Sequence, residues 1–534
     1  MIKGPQIEFT VPDTLNLTSY FLEENLLQGR GNKTALFYRN QTYTFNDLCV
    51  LTNKLGNVLK ELGVEPENRV LLILQDSPEW LASWFGTMKI GGVGTHAYTY
   101  LQAEDYTNFL DLVRPKVVVV DQATLGRVRE GAKGSRFPKV LLVSSDSPLK
   151  LERNEYHLQS LIQTAGKQLE AEPTTREDIA FWNFSGGTTG KPKAVPHTHR
   201  DGLVSFLSFQ SIFQYTENEV VLRVPKLFFH YSRDLGMQFP LRTGSALVLF
   251  QERTTSQLIF ELVDRYKPTV LINVPTMMRE MLQTPREKWR DLGCLRLCMS
   301  SGEILSAELY EEWVKTFGVE VTNRFGSAES AMGYLCNRPG QAVPGSSGTV
   351  TPLAEVKVVD PDGLEVSKGE GGVVMVRCPA GGLYYVRDPE KSQSTFAGNG
   401  WINTGDLFLQ DEKDYFWYRG RADEMVKVSG VWVSPLEIER CLEKHVSVRE
   451  CVVLGLEDRD RLIKTKAFIV LHTGDDSSEK MADSLKDFCK EQLASYKYPR
   501  VIEFLKELPK TGQGKIDKRQ LRERGLQIAR EDTQ

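Results

Sequence analysis

Residues 182–199 read WNFSGGTTGKPKAVPHTH, a stretch that concentrates glycine, serine, threonine and lysine in a few positions. A Walker phosphate loop requires glycine, four further residues and then Gly-Lys-Ser/Thr at the start of a helix. Here Ser185 replaces the first glycine and Pro192 follows Gly190 and Lys191, so the Walker pattern is not met. The loop alone leaves two interpretations open: a surface turn, or a loop whose amides, hydroxyls and lysines bind polyphosphate oxygens.

The chain around this loop alternates short apolar runs with amphipathic helices. Apolar residues recur at helical spacing in residues 43–64, 78–93 and 255–267. Buried strands are predicted at 69–75, 116–121, 139–146, 246–250, 269–275 and 295–303. This alternation predicts an α/β fold with parallel sheets covered by helices, in which ligands bind at the carboxyl ends of the strands.

The pattern changes near residue 340, where short alternating strands and turns such as DPDG (360–363) indicate antiparallel hairpins. A compact β/α set follows toward the end of the chain. We therefore predict a large N-terminal domain, residues 1–422, in which about 340–418 form a small β-barrel-like unit. A small α+β domain is predicted for residues 423–534.

Length and composition agree with a multidomain protein that acts on small molecules. The 534 residues exceed what one hydrophobic core usually supports. The formal charge of −4 provides no polybasic field, which disfavours nucleic acid and membrane surfaces as partners. The N-terminus has no signal-like apolar run and no stretch approaches a membrane span, so we expect a cytoplasmic protein. The eight cysteines are scattered without zinc-site spacing, and we expect reduced thiols and no metal bound to them.

Five segments together resemble the signatures of the adenylate-forming superfamily, which includes acyl- and aryl-CoA synthetases. Besides the loop at 182–199, they are RFGSAES (324–330), NTGD (403–406), YRGRADEMVKVSG (418–430) and PKTGQGKIDK (509–518). With the N-terminal region, these motifs span nearly the whole chain in the family's order. The resemblance implies ATP, Mg²⁺ and CoA, with a carboxylate first converted to an acyl-adenylate and then transferred to a thiol.

The resemblance also implies a role for individual nucleotide-site residues. Triphosphate contacts are implied for Ser185, Thr188, Thr189, Gly190, Lys191 and Lys193. Mg²⁺ is implied at Glu329, with Thr188 beside it. Adenine is implied to lie between Phe325-Gly326 and the loop Ser301-Gly302-Glu303, with Arg324 and Ser327 in the same motif. Asp406 is implied to bind both ribose hydroxyls, assisted by Arg421 and with Tyr418 nearby.

Three positions depart from the usual family pattern. Gly186 and Ala194 replace a hydroxyl residue and a glycine around the loop, and neither change removes a phosphate-binding amide. Ala328 stands where most members carry threonine before the acidic residue. The threonine hydroxyl that other members place near the α-phosphate is therefore absent here. Aryl-acid-activating members of the family also have Ala-Glu at these two positions.

The C-terminal motifs imply a domain that rotates between the two half-reactions. Lys515 is implied to reach the carboxylate and the α-phosphate during adenylation, where a mobile positive charge is useful. The hinge falls at Asp423 by resemblance. After rotation, the pantetheine channel is implied to be lined by Lys427, Ser429, Gly430 and Trp432, with Lys427 serving the thioester step.

Residues 226–250 and 426–439 resemble benzoate-CoA ligases more than the superfamily at large. By this resemblance the first segment forms the acyl-pocket wall, with Tyr231 at an aromatic gating position. His230 and Arg233 replace a small and an apolar residue there, which suggests a ring with a polar or acidic substituent, such as an amino- or hydroxybenzoate. Alternatively, Arg233 points to solvent or toward a CoA phosphate.

Three functions are compatible with these motifs. The first is an aryl-CoA ligase, and the second is a free-standing adenylation enzyme that loads an acyl carrier protein, since both acceptors present pantetheine. The third is a non-catalytic nucleotide-binding regulator of the same fold. The joint presence of Lys515, Glu329, Asp406 and Arg421 argues against the third, and the benzoate-ligase resemblance favours CoA as the acceptor.

Overall fold

A computed structural model describes residues 1–137, 140–186, 192–428, 431–457, 463–472, 477–494, 496–509 and 516–531. The strands in chain order are β1 Ile2–Lys3, β2 Thr34–Tyr38, β3 Gln41–Thr44, β4 Arg69–Ile73, β5 Val93–His96, β6 Val117–Asp121, β7 Val140–Ser144, β8 Glu155–His157, β9 Ile179–Gly186, β10 Pro192–Thr198, β11 Val220–Arg223, β12 Ala246–Leu249, β13 Val270–Asn273, β14 Leu297–Ser300, β15 Val321–Gly326, β16 Gly333–Cys336, β17 Thr349–Val350, β18 Glu355–Val359, β19 Gly371–Arg377, β20 Trp401–Gln410, β21 Phe416–Arg421, β22 Val426–Val428, β23 Val431–Val433, β24 Val448–Glu457, β25 Ile463–Leu471 and β26 Val501–Phe504.

The α-helices in chain order are α1 Glu24–Leu27, α2 Phe45–Glu61, α3 Pro78–Lys89, α4 Ala103–Val113, α5 Gln122–Lys133, α6 Leu158–Thr164, α7 His199–Phe213, α8 His230–Arg233, α9 Phe239–Thr243, α10 Ser256–Tyr266, α11 Pro275–Gln283, α12 Ala307–Phe317, α13 Pro389–Thr395, α14 Pro435–Leu442, α15 Glu479–Gln492 and α16 Lys518–Glu531. Short π-helical turns occur at Ser19–Glu23 and Asp234–Gln238, and 3₁₀ turns at Arg286–Lys288 and Ala422–Glu424.

Local sequence signals start several of these helices. Thr44 and Asp47 form a capping box at α2, in which each side chain binds the other residue's backbone amide. Thr198 and Asp201 form the same box at α7, directly after the strand that follows the glycine loop. Because the caps satisfy amides that the first turn leaves without partners, the helix boundaries follow from the sequence at these places.

Two large sheets hold the predicted parallel strands. The seven-stranded sheet has the order β10-β9-β5-β4-β6-β7-β8, and its neighbours from β9 to β8 are parallel. The nine-stranded sheet has the order β17-β16-β15-β14-β13-β11-β12-β2-β3, parallel from β15 to β2 with antiparallel strands at both edges. Parallel strands bring their carboxyl ends to one edge of a sheet, which is where the predicted site residues lie.

Helix α3 packs tightly against the seven-stranded sheet. A Cβ added to Gly94 in β5 would lie 2.9 Å from the ring of Trp84, so glycine at this position allows the indole to approach the strand. Trp80 and Trp84 are both completely buried, and their rings stack at 5.5 Å. Buried aromatic rings contribute large apolar area, and this packing fixes the wall against which part of the site is built.

The chain divides into two compact units. The first comprises Met1–Lys357, Met375–Asn403 and Lys413–Phe416, and the second comprises Val358–Val374, Thr404–Glu412 and Trp417–Gln534. A five-stranded sheet with the order β1-β18-β19-β20-β21 occupies the β-rich segment. The predicted boundary at 422/423 falls inside the last segment of the second unit, and that boundary stays a prediction.

The C-terminal part has its own sheet and core. Strands β24, β25 and β26 form a three-stranded sheet, antiparallel between the first two and parallel between the last two. Helices α14 and α15 contribute buried residues to one face of it, including Ile438, Leu442 and Leu485. The predicted fold class is thus confirmed: α/β with large parallel sheets, a small β unit and a small α+β C-terminal domain.

Two further features concern membrane-spanning helices and the cysteine thiols. Within the described ranges, no helix is long and apolar enough to cross a membrane. The eight cysteines are free thiols, and among the residues that the structure describes no three or more His, Cys, Asp and Glu side chains are grouped so that they could hold a metal ion.

Candidate active site

The glycine loop joins two paired strands. β9 and β10 are antiparallel, and Ser185 lies opposite Lys193 in the register. Of the loop itself, Thr188, Thr189, Gly190 and Lys191 lie outside the described residues, so their phosphate contacts stay predictions. The hairpin nevertheless fixes both ends of the loop at the end of β9, the strand next to β5 in the seven-stranded sheet.

Glu329 is held by a tyrosine that the sequence motifs did not single out. The hydroxyl of Tyr385 donates a 2.7 Å hydrogen bond to Glu329 Oε1, and the amide of Gly382 donates to the Glu329 carbonyl. Lys193 Nζ lies 5.8 Å from the centre of the Tyr385 ring. Burial raises the pKa of the Tyr385 phenol and the Glu329 carboxylate raises it further, so the phenol keeps its proton and remains a donor. The structure thereby brings Glu329 and one end of the glycine loop together.

The residues predicted for adenine follow neighbouring strands. β14 and β15 are parallel, with Ser300 opposite Asn323, so the loop at Ser301–Glu303 and the end of β15 share an edge. Gly302 has a φ of +82°, a conformation that glycine adopts easily. The Glu303 carboxylate accepts hydrogen bonds from the amide and the hydroxyl of Thr276 at the start of α11. The Glu303 side chain is therefore bonded to the start of α11.

The end of β15 continues into a tight turn that carries the acidic residue. The Phe325 ring packs edge-on against Tyr334 at 5.8 Å, and Gly326 is the last residue of the strand. Ser327 and Ser330 exchange hydrogen bonds between their backbone amides and side-chain hydroxyls. These bonds hold the intervening residues, and with them Glu329, in a fixed turn.

The second unit contains the group predicted for ribose. Arg421 Nη1 donates to the Thr404 carbonyl at 2.8 Å and lies 3.3 Å from Asp406 Oδ1. Arg421 Nε donates to Asp423 at 3.2 Å, and the hydroxyl of Tyr418 lies 3.5 Å from Asp406. Burial lowers the pKa of Arg421, but the two carboxylates more than offset this, so its pKa is raised and the charge is permanent. The structure thus brings together four of the predicted residues, Asp406, Tyr418, Arg421 and the hinge residue Asp423, within this unit.

The residues predicted for the thiol step are described only in part. The backbones of Lys427 and Trp432 are paired across the hairpin of β22 and β23. Ser429, Gly430 and Lys515 lie outside the described residues, and their roles stay predictions. Lys518, which follows the last motif, forms an ion pair with Glu424 at 2.8 Å.

The segment predicted for the acyl pocket forms helix α8 and the π-helical turn after it. Tyr231 is buried, and its hydroxyl donates to the Asn273 carbonyl at the end of β13 at 3.3 Å. Tyr231 therefore lies at the carboxyl end of β13 in the nine-stranded sheet. His230 is half-buried at the first position of the helix.

Arg233 is enclosed by aromatic rings. It is 0 % exposed, and its guanidinium lies 4.5 Å from the centre of the Trp84 ring and 4.9 Å from that of Phe181. Such cation–π contacts are strongest when the cation is desolvated. The alternative in which Arg233 points to solvent is therefore wrong, because the side chain has no accessible surface.

Hydrogen bonds complete the surroundings of the Arg233 guanidinium. Nε donates to Asp234 at 3.2 Å and Nη2 donates to Asn183 at 2.7 Å. Nη1 lies 3.5 Å from Nδ1 of His96, whose pKa is lowered well below its usual value by burial and by the Arg233 charge. A neutral imidazole can accept this bond. The cluster is thus polar at its centre and aromatic at its walls, and sequence reasoning missed His96, Trp84 and Asn183.

Comparison with known proteins places the chain in a family. Residues 22–386 match the AMP-binding enzymes, and residues 437–515 match the C-terminal domain of the AMP-binding enzymes. The chain therefore belongs to the AMP-binding enzyme family. The predicted family is confirmed, and with it the enzyme class, an AMP-forming acid–thiol ligase.

Individual relatives are aryl-acid ligases. The chain is 36 % identical to benzoate–CoA ligase of Thauera aromatica, with 96 % of each chain covered. It is 34 % identical to 4-hydroxybenzoate–CoA/benzoate–CoA ligase of Rhodopseudomonas palustris, covering 95 % of this chain and 93 % of that protein. The crystal structure of the anthranilate CoA ligase AuaEII with anthranoyl-AMP superposes with a TM-score of 0.90 and 36 % identity, covering 97 % of this chain and 99 % of that one.

Proposed function

We propose that this enzyme activates an aromatic carboxylic acid, a substituted benzoate, with ATP and then transfers the acyl group to CoA. The observation that carries the proposal is the buried cluster around Arg233, where two aromatic walls enclose polar groups at the carboxyl ends of the strands. The Arg233 guanidinium fills the space between these two rings, so the cluster is proposed as one wall of the acyl pocket, against which an aromatic ring with a polar substituent packs. The relatives named for benzoate, hydroxybenzoate and anthranilate support the same substrate class.

In the first half-reaction an oxygen of the acid forms a bond to the α-phosphorus of ATP, and the bond from this phosphorus to the pyrophosphate oxygen breaks. Asp406, held by Arg421, accepts hydrogen bonds from the ribose hydroxyls and so positions the α-phosphate. Lys193, Lys191 and Lys515 supply positive charge near the developing negative charge. This assignment of roles rests on the family motifs together with the ion pair that the structure shows at Asp406.

The residues around Glu329 fit a magnesium ion. Mg²⁺ prefers hard oxygen ligands and is usually bound through one or two carboxylates together with substrate phosphates. Glu329 is half-buried, and one of its carboxylate oxygens is fixed by Tyr385. When bound, Mg²⁺ neutralises phosphate charge. Tyr385 acts here as a positioning residue, because it sets the direction in which the second carboxylate oxygen faces.

In the second half-reaction the thiol sulfur of CoA forms a bond to the acyl carbonyl carbon, and the bond to the AMP phosphate oxygen breaks. Lys427, Ser429, Gly430 and Trp432 are proposed to line the pantetheine path. CoA is the acceptor in this proposal because the relatives are CoA ligases, and no relative named above loads a carrier protein.

The proposal is tested by measuring pyrophosphate release with ATP, Mg²⁺ and a panel of benzoate, amino- and hydroxybenzoates and medium-chain fatty acids. We expect rapid release with at least one aromatic acid and little with the fatty acids. The acceptor is tested by AMP release with free CoA or with a phosphopantetheinyl carrier protein. Preference for the fatty acids would refute the aryl assignment, and AMP release only with the carrier protein would refute CoA as the acceptor.

A further inference from the structure

Arg324 occupies an unusual position on β15. Its side chain is 8 % exposed and extends over Gly333 in the neighbouring strand β16. A Cβ at Gly333 would lie 2.2 Å from Arg324 Nε, so any other residue at this position would displace the guanidinium. Gly333 therefore provides the space in which a buried positive charge is placed.

The Arg324 guanidinium has no hydrogen-bonded or ion-paired partner among the described residues. Burial lowers the pKa of Arg324. Buried arginines are normally paired, because an unpaired charge in a desolvated site is costly. A buried guanidinium with its donors unused is a site for an anion, since its parallel N–H groups match a carboxylate in two places.

The neighbours of Arg324 belong to the predicted acyl pocket. Burial raises the pKa of the Asp234 carboxyl. The positive charges of Arg233 and Arg324 offset only part of this rise. Burial also raises the pKa of Tyr231, and Arg324 again counteracts this. In the register Asn273 lies opposite Ser300, and Ser300 lies opposite Asn323. Arg324 is the next residue on β15, so it lies at the sheet edge where the Tyr231 hydroxyl donates to the Asn273 carbonyl. Because side chains alternate along a strand, it faces away from the side on which Phe325 is predicted to meet adenine.

The Asp234 carboxylate is already used by other groups. Asp234 Oδ1 accepts hydrogen bonds from Arg233 Nε at 3.2 Å and from Gln238 Nε2 at 2.9 Å, so this carboxylate compensates the charge of Arg233. His96 is neutral, because burial and the Arg233 charge lower its pKa. One positive charge, that of Arg324, remains for the ligand to compensate.

We propose that Arg324 binds a negatively charged ring substituent, a second carboxylate, of the acid that this enzyme activates. The proposal rests on the aryl-ligase function. It narrows the substrate class from benzoates with a polar ring substituent to benzoates with a negatively charged one. A neutral hydroxyl or amino group can accept or share a hydrogen bond, but it leaves the buried charge uncompensated. A carboxylate supplies both the charge and the paired acceptors that a guanidinium requires.

The test compares acids with and without this second charge. Pyrophosphate release is measured with the 1,2-, 1,3- and 1,4-benzenedicarboxylates and with their monomethyl esters, which remove one charge and add one methyl group. We expect kcat/KM of the wild-type enzyme for at least one diacid to exceed that for its monoester by about 100-fold, the scale of removing one partner from a buried charge pair. In Arg324→Met we expect the ratio of kcat/KM for the diacid to kcat/KM for its monoester to fall about 100-fold.

Several outcomes would overturn this assignment. Equal or better use of the esters by the wild-type enzyme would do so without any variant, so the test holds even if Arg324→Met folds poorly. An equal loss for diacid, ester and benzoate in a variant with unchanged thermal unfolding would place Arg324 at the reacting carboxylate or the nucleotide. Activity with benzoate but with none of the diacids would refute the second carboxylate alone, whereas no activity with any aromatic acid would refute the aryl-ligase function itself.

Discussion

Removal of one hydroxyl group tests whether Tyr385 orients Glu329, the proposed magnesium ligand. Tyr385→Phe deletes the donor that lies 2.7 Å from Glu329 Oε1 and keeps the buried ring. A hydrogen bond to a charged group contributes about 1.5–3 kcal/mol, and each 1.4 kcal/mol corresponds to about tenfold in a rate or an equilibrium. We therefore expect adenylate formation to slow about 10- to 100-fold, with a higher Mg²⁺ concentration at half-maximal rate, because Glu329 loses its fixed direction.

The assay is pyrophosphate release at saturating acid and ATP, with Mg²⁺ varied. A matched control is Tyr106→Phe, which removes a buried hydroxyl that donates to the Tyr98 carbonyl at 2.8 Å, outside the site. We expect that variant to lower thermal stability slightly and to leave the Mg²⁺ dependence unchanged. If Tyr385→Phe shows the wild-type rate and Mg²⁺ dependence, Tyr385 does not position Glu329.

Three further perturbations address the ribose group, the buried cation and the pH dependence of stability. Asp406→Asn removes the carboxylate paired with Arg421, and we expect about 10- to 100-fold weaker AMP binding by calorimetry; unchanged affinity would contradict the ribose assignment. Arg233→Met leaves Asp234 buried without its cation, so the free energy of unfolding in urea should fall by about 3–5 kcal/mol, and a loss below about 1 kcal/mol would contradict the pairing. Burial lowers the pKa of His199 to about 4 from 6.5, so its stability contribution is complete above pH 6.5 and is lost as the pH falls toward 4. Between pH 7 and 4.5 this amounts to about 2.5 kcal/mol, and His199→Asn should lose that much less than the wild type over the same range; parallel curves would contradict it.

The sequence predicted those parts of the fold that depend on local patterns. The run predicted as a strand at 116–121 is β6, Val117–Asp121, and the helical spacing at 255–267 corresponds to α10, Ser256–Tyr266. Apolar periodicity and capping residues act over a few positions, so a single chain displays them directly. The order of strands in each sheet depends instead on distant pairings and was not predicted.

Within the candidate site, the motifs predicted roles for Glu329, Asp406 and Arg421, but they did not indicate the residues that hydrogen-bond to Glu329 and Arg233. Tyr385 is 56 residues from Glu329, and Asn183 is 50 residues from Arg233. No local pattern connects such positions, since only the folded chain brings them together. The direction of Arg233 also stayed open in the sequence. An arginine on a helix can extend to solvent or turn inward, and the residue spacing is the same in both cases.

The turn after β15 connects the buried Arg233 cluster with Glu329, the proposed magnesium ligand. The carbonyl of Ala328 is 2.8 Å from His197 Nε2 and also contacts the amide of Asn183, whose oxygen binds Arg233. The next residue is Glu329, held by Tyr385. A ligand group that shifts Arg233 therefore acts through Asn183 on the same turn that carries Glu329. Residues in a buried hydrogen-bond network move together, so binding of the correct ring can improve the position of Glu329. Discrimination between acids then affects the rate of adenylate formation as well as the affinity for the acid.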